Sequence, residues 1–530
     1  MIRGSRNSKA SRSSSAWAVA GAASLLAVLS GCALWFCERQ GWLLYYGDAN
    51  AHLNIARRVL DSRTPGYDQL GTVWLPLPHA LMLPLVRFDD LWRTGLAGSI
   101  PSAVCYVLAG TFLFAAARRI LGDGWAAAAV AALFASNPNV LYLQSTAMTE
   151  PVFFAAFTAL LYFSVRGSPV GAGLAAMAGT LTRYEGWFAI PFVAVWFLAT
   201  AKGGRIRSAF VFGVLASIGP LYWLAHNWWC CGSPLAFYDG PSAPRAIQGG
   251  APYPGLHDWR LAWLYFRTAA QACAGAPVAW LGAMGILLLL WRRNFAAALL
   301  TLPPVFYLWS MHSSGGSPIF VPTLAPHSYY NTRYGLAALP LLALGAGALV
   351  TAASPRWRSR AALALIAIST APWLLQPTPE AWITWKESQV NSNARREWTA
   401  KAVEYLRPRY RAGEGIFTTF GDLTGIYREL GIPLERTLTW DNWPLWPAAV
   451  ARPELFLWER WAVAVAGDPV QTAILRAGLR GPRYTLEAMI AVKGAPVIEI
   501  YRRDSSPSTL ASEAAVPPRG RDAPPEPPQT

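Results

Sequence analysis

The sequence predicts a polytopic α-helical membrane protein of about eleven spans with a small extracytoplasmic α/β domain near its C-terminal end. Three observations carry that fold class. The 530 residues are 54 % hydrophobic and 14 % charged, where a soluble chain carries about a quarter charged residues. The apolar residues gather into long blocks that stop near Gln376-Pro377. Alternate turns between these blocks are cationic: Arg118-Arg119, Arg166, Lys202/Arg205/Arg207, Arg292-Arg293 and Arg356/Arg358/Arg360, with Asp123 the only acid among them. That is the positive-inside pattern of a multispanning protein with a cytoplasmic N-terminus and its C-terminal part outside.

The elements follow in order. Residues 1–15 carry Arg3, Arg6, Lys9 and Arg12 without an acid and read as a cytoplasmic basic tail. The run from Ala16 to Cys37 is long enough to span. Leu29-Ser30-Gly31-Cys32 looks like a lipobox, but the apolar run continues past Cys32, so an uncleaved first helix is expected. In the loop 38–94, Ala49, Leu53, Ala56 and Leu60 recur at helical spacing and predict an amphipathic helix along the membrane surface. The short piece from Trp74 to Leu85 holds three prolines and fits an interfacial or re-entrant helix. Further spans are expected over 95–117, 124–143, 149–165, 169–182, 186–201, 207–229, 275–291, 295–311, 333–352 and 361–376.

Residues 378–503 are charged, aromatic and no longer continuously apolar. They predict helices at Arg395–Leu406, Leu423–Leu430 and Val470–Ala477, and strands at Gly415–Phe420, Trp461–Ala466 and Val497–Tyr501. Strands alternating with helices suggest an α/β domain. The Pro- and Ser-rich tail 504–530 is expected to be disordered.

Composition also excludes some functions. The net charge of +16 follows the topology, and no basic tract with interleaved aromatics is present, so no nucleic-acid partner is expected. Six cysteines without a Cys-x-x-Cys pair make neither a disulfide scaffold nor a zinc site. A bridge from Cys230 or Cys231 to Cys273, across one outer loop, stays open.

Threading the spans places the ionisable suspects on one outer face. Asp48 stands at the first turn of the amphipathic helix, with His52 one turn further on the same side. An N-cap is the ordinary role for such an acid, and a catalytic carboxylate the functional one. Glu150, in Thr149-Glu150-Pro151, is a good helix start for structural reasons alone. Arg183 and Glu185 lie between two apolar runs, where an internal ion pair competes with a functional role. Arg333, before Tyr334-Gly335, either anchors a helix or binds a lipid phosphate with its guanidinium fork.

Taken together, Gly47-Asp48, Trp74-Leu75-Pro76-Leu77-Pro78, Thr149-Glu150-Pro151, Thr182-Arg183-Tyr184-Glu185-Gly186 and Arg333-Tyr334 before a final pair of spans carry a resemblance. In that order they resemble the GT-C superfamily of integral-membrane glycosyltransferases. They are most similar to the branch with protein O-mannosyltransferases and lipid A aminoarabinose transferases. The resemblance covers residues 16–376. It implies sugar transfer from a polyprenyl-phosphate sugar to a hydroxyl of a lipid, glycan or protein at the outer face of the cell (inner) membrane, with inversion. It implies Asp48 as catalytic base, assisted by Glu150. Arg333 and Arg183 would face the phosphate, with His52, Glu185, His257 and Tyr334 about the substrate.

Two departures stand out. Ala49 replaces the family's frequent second acid, and Trp74-Leu75 replace a lysine used for lipid phosphate. A divalent cation, Mg²⁺, Mn²⁺ or Zn²⁺, is a further expectation for Asp48, Glu150 and His52. The loop 231–273, with Tyr238, Asp239, Tyr253, His257, Asp258 and Trp259, is expected either to close over the donor or to form an aromatic belt. The rival expectations are a transporter or flippase of a lipid-linked substrate, and a non-catalytic assembly factor.

Overall fold

The apolar blocks form helices because a chain in hydrocarbon must satisfy its backbone polar groups within each segment. In the computed structural model, the residues described are 3–504, apart from 242, 314, 315 and 420. The expected disorder of the tail therefore falls, beyond Asp504, outside the described residues. Helices occupy nearly every expected span, among them Arg3–Arg39, Leu96–Leu121, Glu150–Arg166, Pro169–Thr180, Glu185–Thr200, Arg205–Cys231 and Arg358–Leu375. Five described helices are long and apolar enough to cross a membrane, or seven if each sharply bent pair is one span. The bends are 63° between Gly124–Ala135 and Pro138–Gln144, and 112° between Trp259–Ala274 and Ala276–Trp291. Pro138 opens the second member of one pair and Gly275 separates the other, the residues that end helices most readily.

The described residues fall into two compact units. One comprises residues up to Ala400 together with Gly421–Glu435; the other comprises Lys401–Phe420 and the chain from Arg436 onward.

Small residues let helices of the first unit approach closely, as is usual where lipid offers no hydrophobic drive. A Cβ built on Gly285 would lie 1.7 Å from the carbonyl oxygen of Gly345, and one on Gly282 would lie 2.6 Å from that of Leu342. Gly285→Val is therefore expected to cost at least about 1–3 kcal/mol, read as a lower melting temperature of the protein in detergent. An unchanged melting temperature would mean that these helices do not pack so closely.

The Gly47–Arg58 helix corrects one expectation. Ala49, Leu53 and Ala56 are buried as its spacing predicts, but nine of its twelve residues are buried, so it does not lie open on a surface. Its polar side is covered by protein. Asn54 donates to Thr424 Oγ1 (2.9 Å), Trp92 donates to Asn54 Oδ1 (3.2 Å), and Arg428 donates to Asn50. Arg57 donates to Val86 O at 2.5 Å and to Asp89 at 2.6 Å, while stacking over Trp92. Leu60 falls beyond the helix and is exposed. The piece after Trp74 forms the short helix Leu77–Val86.

All six cysteines are free. The open bridge to Cys273 is not formed, because that thiol is buried and donates to Thr332 O at 3.2 Å.

The second unit holds a five-stranded mixed sheet. Its strands are β1 (Ile416–Thr418), β2 (Thr437–Leu438), β3 (Trp461–Val465), β4 (Tyr484–Ile490) and β5 (Ile498–Arg503), in the spatial order β2-β1-β3-β5-β4. β1 runs parallel to β2 and β3, with Phe417 opposite Ala462, and β5 runs antiparallel to β3 and β4. The helix Pro469–Ala477 packs Val470, Ala473 and Ile474 onto Phe417, Ala462 and Tyr501. The predicted strands at 415–420, 461–466 and 497–501 thus appear, although Phe420 lies outside the described residues. β2 and β4 lie outside the predicted strands.

Candidate functional site

Four carboxylates and two guanidiniums meet on one wall of the helical unit. Five of the six arrive at an element boundary. Asp48 stands in the first turn of Gly47–Arg58, Glu150 opens Glu150–Arg166, and Glu185 opens Glu185–Thr200. Arg183 sits in the turn just before Glu185, and Arg333 in the 3₁₀ turn Thr332–Ala338. The fourth acid, Glu387, comes from the helix Ile383–Leu406.

Arg333 is the hub. Its Nη2 donates to Asp48 Oδ2 (2.5 Å), its Nε to Glu150 Oε1 (3.1 Å), and its Nη1 to Glu387 Oε1 (2.9 Å). The guanidinium lies between the rings of Tyr46 and Tyr334, 5.1 and 5.2 Å from their centres. Glu387 also accepts from the Thr332 hydroxyl and from the Arg333 backbone N–H. Burial pushes the Glu387 carboxyl above the usual range, and Arg333 pulls it back.

Arg183 repeats the pattern. It donates to Glu185 (2.7 Å), Thr149 (2.7 Å), Glu150 Oε1 (3.2 Å) and the Tyr307 hydroxyl (2.7 Å), and Tyr307 in turn donates to Glu185. Glu150 Oε1 therefore bridges both arginines.

These contacts revise the capping readings. The N-cap of the Gly47–Arg58 helix is Tyr46, so Asp48 does not cap it. Thr149 makes no side-chain cap either, because its hydroxyl accepts from Arg183.

Exposure separates the acids. The side chains of Glu150, Glu185 and Glu387 are 6, 4 and 2 % exposed, whereas Asp48 is 41 % exposed. Asp48 Oδ2 is held by Arg333, and Oδ1 has no partner among the described residues. Asp48 is the acid of this group available to a ligand.

It opens on a cavity of about 400 Å³. Arg183, Glu185, Arg333, Tyr334 and His52 share the lining with Asp48, and Trp74, Phe306 and Trp309 give it aromatic walls. Four acids face two arginines, so protein carboxylates already take up the cations expected for a phosphate.

Not every sequence candidate joins. His257 is absent from the lining; its backbone N–H donates to His312 O at 2.9 Å, and its ring meets His312 edge-on. From the same loop, Phe237, Tyr238 and Arg245 do reach the cavity. Three residues of the site carried no sequence signal that singled them out: Glu387, Tyr307 and His79. His79 Nε2 lies 2.9 Å from His52 Nδ1.

The cation expectation does not fit these residues. Among the described residues no group of three His, Cys, Asp or Glu side chains is placed to hold a metal ion. His52 turns its Nδ1 to His79, and Arg333 bridges Asp48 and Glu150 where a cation would have to bind.

Burial, helped by the charges of Arg183 and Arg333, lowers the pKa of His52 from 6.5 to about 3. The unfolded chain takes up a proton below pH 6.5 that the folded His52 refuses until about pH 3. Stability therefore falls as the pH drops through that window, by up to about 1.4 kcal/mol per pH unit. His52→Gln should flatten the decline, measured as unfolding in detergent between pH 4 and 7. An equal slope in both proteins would contradict a neutral buried His52.

Neither a protein-family model nor a curated protein sequence matches the chain. Solved structures do. The structure of ArnT from Cupriavidus metallidurans bound to undecaprenyl phosphate is similar with a TM-score of 0.56 and 15 % identity, covering 90 % of this chain and 97 % of that one. Its apo state gives 0.56 and 15 %, covering 92 % and 98 %. The Archaeoglobus fulgidus oligosaccharyltransferase tethered to an acceptor peptide gives 0.45 and 12 %, covering 84 % and 69 %. The first two show the fold, which this chain shares with ArnT.

Proposed function

We propose that this protein is a glycosyltransferase that moves a sugar from a polyprenyl-phosphate donor to a hydroxyl of a lipid, glycan or protein at the outer face of the cell membrane. The observation that carries the reading is Asp48: a cavity-facing carboxylate with one oxygen held by Arg333 and the other without a partner among the described residues. The fold of ArnT, solved with undecaprenyl phosphate, supports a lipid-linked donor. The spans are proposed to number about eleven, with the N-terminus cytoplasmic and the sheet-bearing unit outside.

A sugar phosphodiester already carries its leaving group, so the protein must deprotonate and aim the acceptor. Asp48 Oδ1 takes the proton of the acceptor hydroxyl as its oxygen attacks the anomeric carbon. The bond from that carbon to the phosphate oxygen breaks, and its electron pair leaves with the polyprenyl phosphate. Attack from the face opposite the leaving group inverts the anomeric centre. A placed base is worth roughly 10²–10⁴ in rate. Arg333 aims Asp48, and both arginines lend positive charge to the departing phosphate. Glu150 ties the two guanidiniums together, and Glu185 and Tyr307 fix Arg183.

The reading is tested with protein in lipid nanodiscs, a panel of radiolabelled polyprenyl-phosphate sugars and a host membrane extract. Label passing from lipid to a new acceptor is the expected result. Lipid-linked label that is bound or crosses the bilayer intact would indicate a transporter or flippase instead.

A further inference from the structure

His52 lines the cavity one turn after Asp48 and is only 3 % exposed. Its Nδ1 faces Nε2 of the fully buried His79 at 2.9 Å, and a single hydrogen lies between two neutral rings at that distance. Which ring supplies it follows from the far side of His79. Its Nδ1 is buried with no hydrogen-bond partner. If His52 donated, His79 would need its own hydrogen on Nδ1, an N–H buried without an acceptor. Orphaned buried N–H groups are rarer than under-satisfied acceptors. The bare lone pair therefore belongs on His79 Nδ1, and His79 Nε2–H donates to His52 Nδ1. The hydrogen of His52 then sits on Nε2, the ring's one polar atom left for the cavity. Trp74, 4.6 Å away between ring centres, holds the imidazole at its angle.

We propose that His79 locks His52 in the Nε2–H form, making His52 a fixed neutral donor to an oxygen of the donor headgroup, either a phosphate oxygen or a sugar hydroxyl. Of the cavity's donors, Arg183 and Arg333 are already engaged by carboxylates, so a neutral N–H of fixed direction adds to what they offer an incoming headgroup. The inference rests on the transferase reading for its ligand, but not for its tautomer.

The test is nitrogen NMR of ¹⁵N-histidine-labelled protein in nanodiscs. His52→Gln and His79→Gln assign two of the six histidines by loss of signal. Both rings are expected to be protonated at Nε2 and bare at Nδ1. Added undecaprenyl phosphate should shift His52 Nε2 if phosphate is the acceptor; a shift only with sugar-charged lipid would identify a sugar hydroxyl. A hydrogen on His79 Nδ1, or a His52 Nε2 signal that neither lipid moves, would overturn the proposal.

Kinetics give a second reading. His52→Gln, whose amide keeps a donor, should raise KM less than His52→Phe does. His52→Phe should raise KM about tenfold, the worth of one hydrogen bond. Equal KM values for the two variants would also overturn it. If the wild type transfers no sugar, the transferase reading fails while the tautomer and the undecaprenyl phosphate shifts remain readable.

Discussion

Replacing Arg333 by Gln is expected to lower stability by about 3–5 kcal/mol and to abolish measurable turnover, because the change strands charges the fold has already buried. Glu150 and Glu387 each give an oxygen to this guanidinium, and their side chains are almost wholly enclosed. Without it Glu387 keeps, among the described residues, only the Thr332 hydroxyl and one backbone N–H. Asp48 loses its only hydrogen-bond donor among the described residues. Arg333→Lys should recover little. An ammonium keeps the charge, but it cannot reach three carboxylates from one planar fork between two tyrosine rings. Thermal unfolding in detergent and turnover in nanodiscs check both halves. A Lys variant with near-wild-type melting and activity would mean that charge alone matters here.

Asp48→Asn should behave in the opposite way. Its side chain is the exposed member of the cluster, and an amide oxygen can still accept from Arg333. The melting temperature is therefore expected to stay within a few degrees of wild type, whereas kcat falls by about 10²–10⁴ for want of a base. Glu150→Gln should show how the roles divide. Glu150 is buried and bridges two arginines, so its loss is expected to act through stability as well as rate. Comparable melting losses for Asp48→Asn and Glu150→Gln would argue that Asp48 is one more structural ion-pair partner.

Much of this site was legible in the sequence because ionisable residues beside long apolar runs are conspicuous. Glu150, Arg183, Glu185 and Arg333 stand out on that ground, and the structure gathers all four with Asp48. What stayed hidden is pairing across distance. Asp48 and Arg333 are 285 positions apart, and no periodicity links them. Glu387 carries no such signal because the composition changes near Gln376, and a change of composition reports where apolar helices end rather than which unit a segment packs with. The helix carrying it lies, up to Ala400, in the helical unit. The histidine pair was hidden for a similar reason, since His79 looks like an ordinary polar residue in a proline-rich apolar piece.

In the second unit, β3 and β5 were readable as short apolar runs. β4 was not, because its residues are mostly exposed at a sheet edge and show no alternation. The amphipathic reading of Gly47–Arg58 failed on one side only: spacing identified its apolar stripe, but the polar stripe meets Thr424 and Arg428 instead of water.

The most direct test of the central claim is a single-turnover experiment on wild-type and Asp48→Asn protein in nanodiscs. Each is loaded with the radiolabelled polyprenyl-phosphate sugar the wild type uses, and lipid-bound and transferred label are counted together. Retained lipid binding in both, with transfer slowed by at least about a hundredfold in the variant, is the predicted result. Equal transfer by the two proteins would contradict Asp48 as the base and, with it, the chemistry assigned to this site.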